Sequence, residues 1–258
     1  MNNTFNLHRF NLLLKRQWLE FGKIFLITLL VALGVFVAFY GVTLLPLQEL
    51  TDIPHRLRFR EPLYLMFGFL FVSVIASSYF AHLGQKPKAI IDLLIPASIL
   101  EKFLAGVFFT SVLSTLSFTL LFYITDLAFI SYIKTYFQNP KNVEDLQNIK
   151  GFLAQNDFGN FIPFYAMPFA VTSLFMLGSI FFNRFHYIKT TISIMLFVSI
   201  LVYIFSKTSE ILFSGKTSIS VGNNQGKDFF EWMALIVLLI FTLITWTISY
   251  VRLKEKEV

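Results

Sequence analysis

The chain of 258 residues contains no cysteine, and only 14% of its residues are charged. Without cysteine it can form neither disulfides nor thiolate metal sites. Its four histidines are scattered without the spacing of metal ligands, so we expect no metal site. The net charge of +6 is not gathered into one basic block, and nucleic acid is therefore not an expected partner.

Apolar residues dominate the composition instead. Hydrophobic residues make up 56% of the chain, 33 residues are Phe, and the mean hydropathy is +0.68. A soluble domain of this size could not bury so much apolar surface, whereas a membrane protein exposes it to lipid. Because a helix needs about 20 apolar residues to cross the bilayer, we predict one all-α integral membrane domain over 1–258. Its six spans are expected at about 24–45, 63–83, 103–125, 164–182, 188–205 and 232–251.

The distribution of charge predicts the orientation of these spans. With the N-terminus inside, the inner segments hold twelve basic and five acidic residues, and the outer segments hold nine basic and ten acidic residues. Lys and Arg favour the cytoplasmic side. We therefore expect both termini in the cytoplasm, although Arg56, Arg58 and Arg60 fall in the first outer loop.

The N-terminal segment has the pattern of an amphipathic helix. Its apolar residues recur at steps of three and four, at Leu7, Phe10, Leu14, Trp18 and Phe21. A basic amphipathic helix with aromatic residues lies in the membrane interface. We predict an interfacial elbow helix over 5–21; the alternative is a simple basic flank of the first span.

The predicted cytoplasmic loop between spans two and three is unusually apolar. Pro87 and Pro96 bracket a short helix of about two turns, whose Ile90, Leu93 and Leu94 lie on one face. Either lipid headgroups or a partner protein must cover that face.

The residues after Pro96 predict a stiff connection to the third span. Ser98 and Glu101 fit a capping box, in which Ser98 caps the helix and Glu101 bonds back to the Ser98 N–H. Such a cap would fix the angle between the short helix and the third span.

The predicted spans contain hydroxyl groups but almost no ionisable side chains. Asp126 lies at the outer edge of the third span and His82 at the inner edge of the second, so neither is deep. Ion-coupled carriers and intramembrane hydrolases use buried ionisable residues, and neither class is therefore indicated. Thr110, Ser114 and Ser117 share a face of the third span, where they either pack against another helix or line a substrate path.

No nucleotide site is visible either. Gly215-Lys216-Thr217 looks like the end of a phosphate-binding loop, but Glu210 stands where the upstream glycine is required. We expect no enzyme and no cofactor in this chain. If the protein moves a substrate, the energy would have to come from a partner on the cytoplasmic side.

The layout and one short motif resemble the membrane subunits of type 2 ABC exporters, the ABC-2 permease family. The layout comprises the elbow, six spans, inner termini and a short helix between spans two and three. The run from Leu94 to Phe103, Leu-Ile-Pro-Ala-Ser-Ile-Leu-Glu-Lys-Phe, is similar to the Leu-Pro-Ala-Ser-x-x-Glu-Lys-Phe run of bacterial members. The polar segment Lys207–Lys227 departs from the helical outer elements common in that family.

The resemblance implies a location, partners and roles for these residues. The protein would lie in the bacterial inner membrane, pair with a second permease copy or a paralogue, and contact membrane lipids. A separate ABC ATPase subunit would bind ATP and Mg²⁺. The coupling helix would present Pro87, Lys88, Ile90, Asp92, Leu93 and Leu94 to that ATPase, and Pro96, Ser98 and Glu101 would form its hinge.

Three other functions remain open at this point. A membrane scaffold or assembly protein would use the elbow and the loop helix only as interfacial elements. A passive channel or uncoupled carrier would need no ATPase, and an integral membrane enzyme is the remaining possibility.

Overall fold

The structure, a computed structural model, describes residues 5–44, 57–81, 94–136, 151–152, 162–213 and 224–256. Every regular element within these ranges is helical. The α-helices are α1 (Leu7–Leu44), α2 (Arg60–Tyr79), α3 (Ile99–Val107), α4 (Ser114–Tyr136), α5 (Met167–Phe181), α6 (His186–Phe213) and α7 (Asn224–Lys256). A π-helical segment, Phe108–Leu113, joins α3 to α4, and short 3-10 turns lie at Leu57–Phe59 and Ile162–Tyr165.

Six of these helical segments are long and apolar enough to cross a membrane, which confirms the predicted all-α multi-pass architecture. We number them as spans 1 to 6. Span 3 consists of α3, the π-helical segment and α4, and the other spans are α1, α2, α5, α6 and α7. Their lengths differ from the predicted spans because helices continue beyond the apolar stretch until the local sequence ends them.

The first helix shows the largest of these differences. The predicted elbow over 5–21 and the predicted first span form one continuous helix of 38 residues. No proline interrupts it, and Gly22 is covered by the Trp18 side chain, which would lie 3.1 Å from an added Cβ. At 1.5 Å per residue the helix is about 57 Å long, compared with a hydrocarbon core of about 30 Å. The amphipathic stretch is therefore continuous with span 1 and is not a separate helix; its predicted place in the membrane interface stays a prediction.

Aromatic side chains form the core between spans 1, 2 and 3. Phe36 of span 1 packs edge-on against Phe118 and Phe122 of span 3, with ring centroids 5.4 and 5.2 Å apart. Phe71 of span 2 lies 5.4 Å from the Phe118 ring. Edge-to-face rings at these distances add to the apolar packing of this core.

A second apolar cluster identifies one end of the molecule. It joins Phe80 after span 2, Phe103 near the start of span 3, Ile180 of span 4 and Leu253 of span 6. Phe80, Ile180 and Leu253 lie at the C-terminal ends of spans 2, 4 and 6, and Phe103 lies near the N-terminal end of span 3, as expected when successive spans alternate in direction. We call this the inner end, because the Lys/Arg bias predicts that it faces the cytoplasm.

A buried ion pair holds the outer ends of spans 1, 2 and 3 together. The Arg60 guanidinium lies 3.2 Å from Asp126 Oδ1, and the Tyr40 hydroxyl donates to the same oxygen at 2.7 Å. The other oxygen, Oδ2, accepts a hydrogen bond from the backbone N–H of Phe152 at 2.7 Å. Asp126 is fully buried. The sequence predicted its place near the end of span 3 but not its burial or its partners. The pair also compensates the buried charge of Arg60.

Spans 4 and 5 approach each other closely at Gly178. A Cβ added there would lie 1.9 Å from the Thr190 Oγ1 and 2.8 Å from the Thr190 Cβ. A side chain at residue 178 would therefore force the two helices apart.

We expect Gly178→Ala to lower the free energy of unfolding by about 1–3 kcal/mol, the usual cost of overpacking. Gly34→Ala is the matched control, because Gly34 also lies inside a helix but has no atom within 4 Å of an added Cβ. The control should be neutral or slightly stabilising, since Ala has the higher helix propensity. Denaturant unfolding of the purified chain in detergent micelles measures both, and equal stability of the two variants would contradict the close approach.

Removing one partner of the outer ion pair should be costly. Asp126→Leu leaves the Arg60 charge without its carboxylate, and we expect it to lower the free energy of unfolding by about 3–5 kcal/mol. The double variant Arg60→Leu/Asp126→Leu should recover part of that loss in the same unfolding assay. Glu210→Ala serves as the control, because Glu210 and Lys207 form an exposed pair, for which we expect about 0–1 kcal/mol. A double variant less stable than Asp126→Leu would be inconsistent with a charge-pair explanation.

Candidate functional site

The predicted coupling segment is described only at its C-terminal end. Pro87, Lys88, Ile90, Asp92 and Leu93 lie outside the described residues. Leu94 is described, and 77% of its surface is exposed. An apolar side chain this exposed, at the inner end of the bundle, is available to a partner or to the membrane interface.

The capping box between this segment and span 3 is confirmed. Ser98 has extended backbone angles, and its hydroxyl accepts a hydrogen bond from the Glu101 N–H at 3.2 Å. Glu101 Oε2 in turn accepts a hydrogen bond from the Ser98 N–H at 2.9 Å. Two N–H groups that the helix itself cannot satisfy are thereby paired. The predicted role of Pro96, Ser98 and Glu101 as a hinge stays a prediction.

Glu101 makes further contacts that the sequence did not predict. Its Oε1 accepts a hydrogen bond from the backbone N–H of Asn6 at 2.8 Å, and lies 3.1 Å from the Arg9 guanidinium. The Glu101 side chain is completely buried, and the Arg9 side chain is about one third exposed. One carboxylate thus joins the start of span 1 to the start of span 3. We call Asn6, Arg9, Ser98 and Glu101 the inner joint.

Apolar packing surrounds the inner joint. Leu13 of span 1, Ala97 of the connecting segment and Ala105 of span 3 form a buried cluster. Phe10 and Ile95 pack against it. The segment at 94–98 therefore contacts both helices through apolar side chains as well as through the carboxylate, and the three parts form one packed unit.

The chemistry of the inner joint follows from the hydrogen bonds of the Glu101 carboxylate. The buried Glu101 carboxylate accepts from three donors, the N–H groups of Asn6 and Ser98 and the Arg9 guanidinium, and these bonds hold the segments in place. Within the described ranges no group of three or more His, Cys, Asp or Glu side chains could hold a metal ion. The contacts of the inner joint connect the starts of spans 1 and 3 and the segment between spans 2 and 3.

Of the predicted hydroxyl residues of span 3, Thr110 contacts span 4, because its hydroxyl lies 3.7 Å from the Met176 sulfur. Thr110 and Ser114 are fully buried and donate to backbone carbonyls of their own helix, those of Gly106 and Thr110. Ser117 is half-buried. Thr110 and Ser114 therefore fit the first of the two predicted roles, helix packing, and not the lining of a substrate path within one chain.

A neighbouring set of hydroxyls links the helices directly. Ser111, in the π-helical segment, lies 2.7 Å from the Thr172 hydroxyl of span 4. The Thr245 hydroxyl of span 6 donates to Ser173 Oγ of span 4 at 2.7 Å. In lipid the hydrophobic effect does not drive helices together, so hydrogen bonds between helices contribute to their association. The sequence signal was present, because spans 3, 4 and 6 all carry Ser and Thr, but the pairs depend on the packing of the helices.

A small groove lies between spans 2, 3 and 4. It is lined by aromatic and small residues together with Thr115 and Thr119 of span 3. The Thr119 hydroxyl pairs with the Tyr64 hydroxyl at 3.0 Å, whereas the buried Thr115 hydroxyl has no hydrogen-bond partner among the described residues. The groove is therefore mainly apolar with one unsatisfied polar group.

Comparisons of this chain with protein-family models, with curated proteins and with solved structures find no match.

The inner joint predicts a specific order of stability effects. Ser98→Ala should lower the free energy of unfolding by about 1 kcal/mol, because one helix-capping bond is lost. Glu101→Ala should cost about 3 kcal/mol, because the cap, the Asn6 bond and the Arg9 ion pair are lost together. Unfolding of the full chain in detergent micelles measures both.

Glu20→Ala is the control for this series, since Glu20 pairs with Arg16 on the exposed surface. It should change the stability by less than about 1 kcal/mol. If Ser98→Ala and Glu101→Ala cost the same, Glu101 would contribute only its capping bonds and the link to span 1 would be energetically irrelevant.

Proposed function

We propose that this protein is the membrane-spanning subunit of an ATP-driven exporter of the ABC-2 type. A separate nucleotide-binding ATPase would bind ATP and Mg²⁺ and would dock on the segment at 87–94. In this proposal the chain itself has no catalytic role. It provides the substrate path and converts movement of the docked segment into movement of its helices.

The inner joint is the observation that carries the proposal. Leu94 is exposed at the end of the docking segment, and only four residues later Ser98 begins a fully hydrogen-bonded connection to span 3. The same connection extends through Arg9 to span 1. A force applied to residues 87–94 would therefore reach two membrane helices through buried bonds instead of being absorbed by a flexible loop.

A second permease copy is part of the proposal because of the packing within one chain. Spans 1, 2 and 3 meet in an aromatic core, which leaves no room for a substrate along their shared axis. Span 5 buries only 6% of its most apolar stretch, whereas span 4 buries half of its own. Surface of this kind is available for lipid or for a second copy, and a path between two copies fits an interior that is already filled.

The absence of ionisable groups from the middle of the spans supports an external energy source. The fully buried carboxylates of span 3 lie near its two ends and are both paired. Neither has the free, proton-exchanging character that coupling to an ion gradient requires. A non-transporting membrane scaffold remains the alternative, and the partner decides between the two.

The docking segment can be tested by replacing its apolar residues with charged ones. We expect Leu93→Asp/Leu94→Asp to abolish co-purification of an ATPase from the native membrane, because a charged side chain cannot be buried in an apolar groove of the partner. The measurement is ATPase activity and subunit composition of the affinity-purified complex. The unfolding transition of the isolated chain should be unchanged, since Leu94 is exposed.

Leu7→Asp is the matched control for this variant. Leu7 is also an exposed apolar residue close to the inner joint, and an acidic residue in the first turn of a helix is favourable. It should retain the ATPase. Retention by both variants would contradict docking at 87–94, and the absence of any ATPase from the wild-type preparation would favour the scaffold.

A further inference from the structure

The turn between spans 4 and 5 gathers basic side chains from two other places in the chain. Lys189 of span 5 lies over the Phe182 ring, with its Nζ 5.7 Å from the ring centroid. Arg252 of span 6 lies 5.4 Å from the centroid of the Phe181 ring. Lys256, one turn further along span 6, approaches the Asn183 Oδ1 at 3.4 Å. Three cations thus converge on three consecutive residues, and we call these six residues the basic turn site.

The charge of this region is strongly unbalanced. Residues 182–189 and 252–256 contain five Lys or Arg side chains and a single carboxylate, Glu255. That carboxylate lies 2.7 Å from the Arg252 guanidinium, so it neutralises one cation. Among the described residues the surface therefore retains a clear positive excess, which favours an anionic ligand.

The position of the turn places these charges at the boundary of the membrane. Span 4 ends at Phe181 and span 5 begins at His186, so only four residues separate two membrane helices. A connection this short keeps the turn in the headgroup layer. Phe185 is 72% exposed and Phe181 is 55% exposed, and exposed aromatic rings beside Lys and Arg are typical of that layer.

The backbone holds the turn in a defined shape. Phe185 has a φ of 54°, the left-handed conformation that L-residues with large side chains rarely adopt. The Phe182 N–H donates to the Gly178 carbonyl, and the Lys189 N–H donates to the Phe185 carbonyl, both at 3.0 Å. The close approach of spans 4 and 5 at Gly178 further restricts the turn. The cations are therefore presented on a fixed frame.

We infer that the basic turn site binds the headgroup of an anionic phospholipid. Lys189 and Lys256 pair with the phosphate, and the exposed rings of Phe181 and Phe185 contact the beginning of the acyl chains. This assignment is independent of any ATPase, because it uses only the charge, the aromatic exposure and the membrane-boundary position of the turn.

Binding of single lipids to the purified full-length chain tests the inference. Native mass spectrometry of the chain in neutral detergent, titrated with phosphatidylglycerol or phosphatidylcholine, gives the two affinities. We expect the wild type to prefer phosphatidylglycerol by about tenfold, since each Lys or Arg near an anionic lipid surface contributes favourably to binding. In Lys189→Gln/Lys256→Gln the two lipids should bind within about twofold of each other.

Matched variants keep the test specific. Lys15→Gln/Lys23→Gln removes two exposed cations from span 1, toward the same end, and should retain the preference. Lys189→Arg/Lys256→Arg retains the charge and should retain it as well, which separates a charge effect from misfolding. Loss of the preference in the span 1 variant would mean a diffuse surface effect and would overturn the assignment, as would retention in the Gln variant.

A free phosphate ion shares the chemistry of the headgroup, so a separate experiment must distinguish the two ligands. Millimolar inorganic phosphate should not displace phosphatidylglycerol, because the ion lacks the acyl chains that the aromatic rings contact. Displacement by phosphate would identify an ion site instead of a lipid site and would overturn the inference.

Discussion

The buried carboxylate of Glu101 is the constraint on which the inner half of the structure depends. An ionised carboxylate removed from water costs several kcal/mol unless donors replace its hydration. Here the donors come from the start of span 1, from Ser98 and from the Arg9 side chain. These segments cannot separate without leaving the carboxylate unpaired. The N-terminus, the connecting segment and span 3 therefore behave as one unit.

Asp126 is a second buried and paired carboxylate, at the other end of span 3. The two carboxylates are 25 residues apart, which corresponds to about 37 Å of helix. Their partners on span 1, Arg9 and Tyr40, are 31 residues or about 46 Å apart. Spans 1 and 3 are thus parallel and are fastened at both ends, so a tilt imposed at one end is shared by both helices.

The sequence predicted the parts of this arrangement that depend on local pattern. The six spans follow from apolar length, and the Ser98–Glu101 cap follows from a spacing of three residues, because both are properties of one segment. The pairs Arg9–Glu101 and Arg60–Asp126 join residues 92 and 66 positions apart, so no local pattern indicates them. The predicted elbow is not a separate helix for a related reason. Amphipathicity predicts which face is apolar but not where a helix ends, and the single glycine at the junction, Gly22, is covered by Trp18 and does not end the helix.

The least regular backbone of span 3 lies between its two fastened ends. The π-helical segment Phe108–Leu113 begins seven residues after Glu101 and contains Ser111, which bonds Thr172 of span 4. A π turn accommodates an extra residue and weakens the regular hydrogen-bond pattern of the helix. Since both ends of span 3 are held by buried carboxylates, any change of its shape must be taken up at this segment. Movement of span 3 would then act first on the hydroxyl contacts between spans 3, 4 and 6, where helices separate at the cost of single hydrogen bonds instead of buried charges.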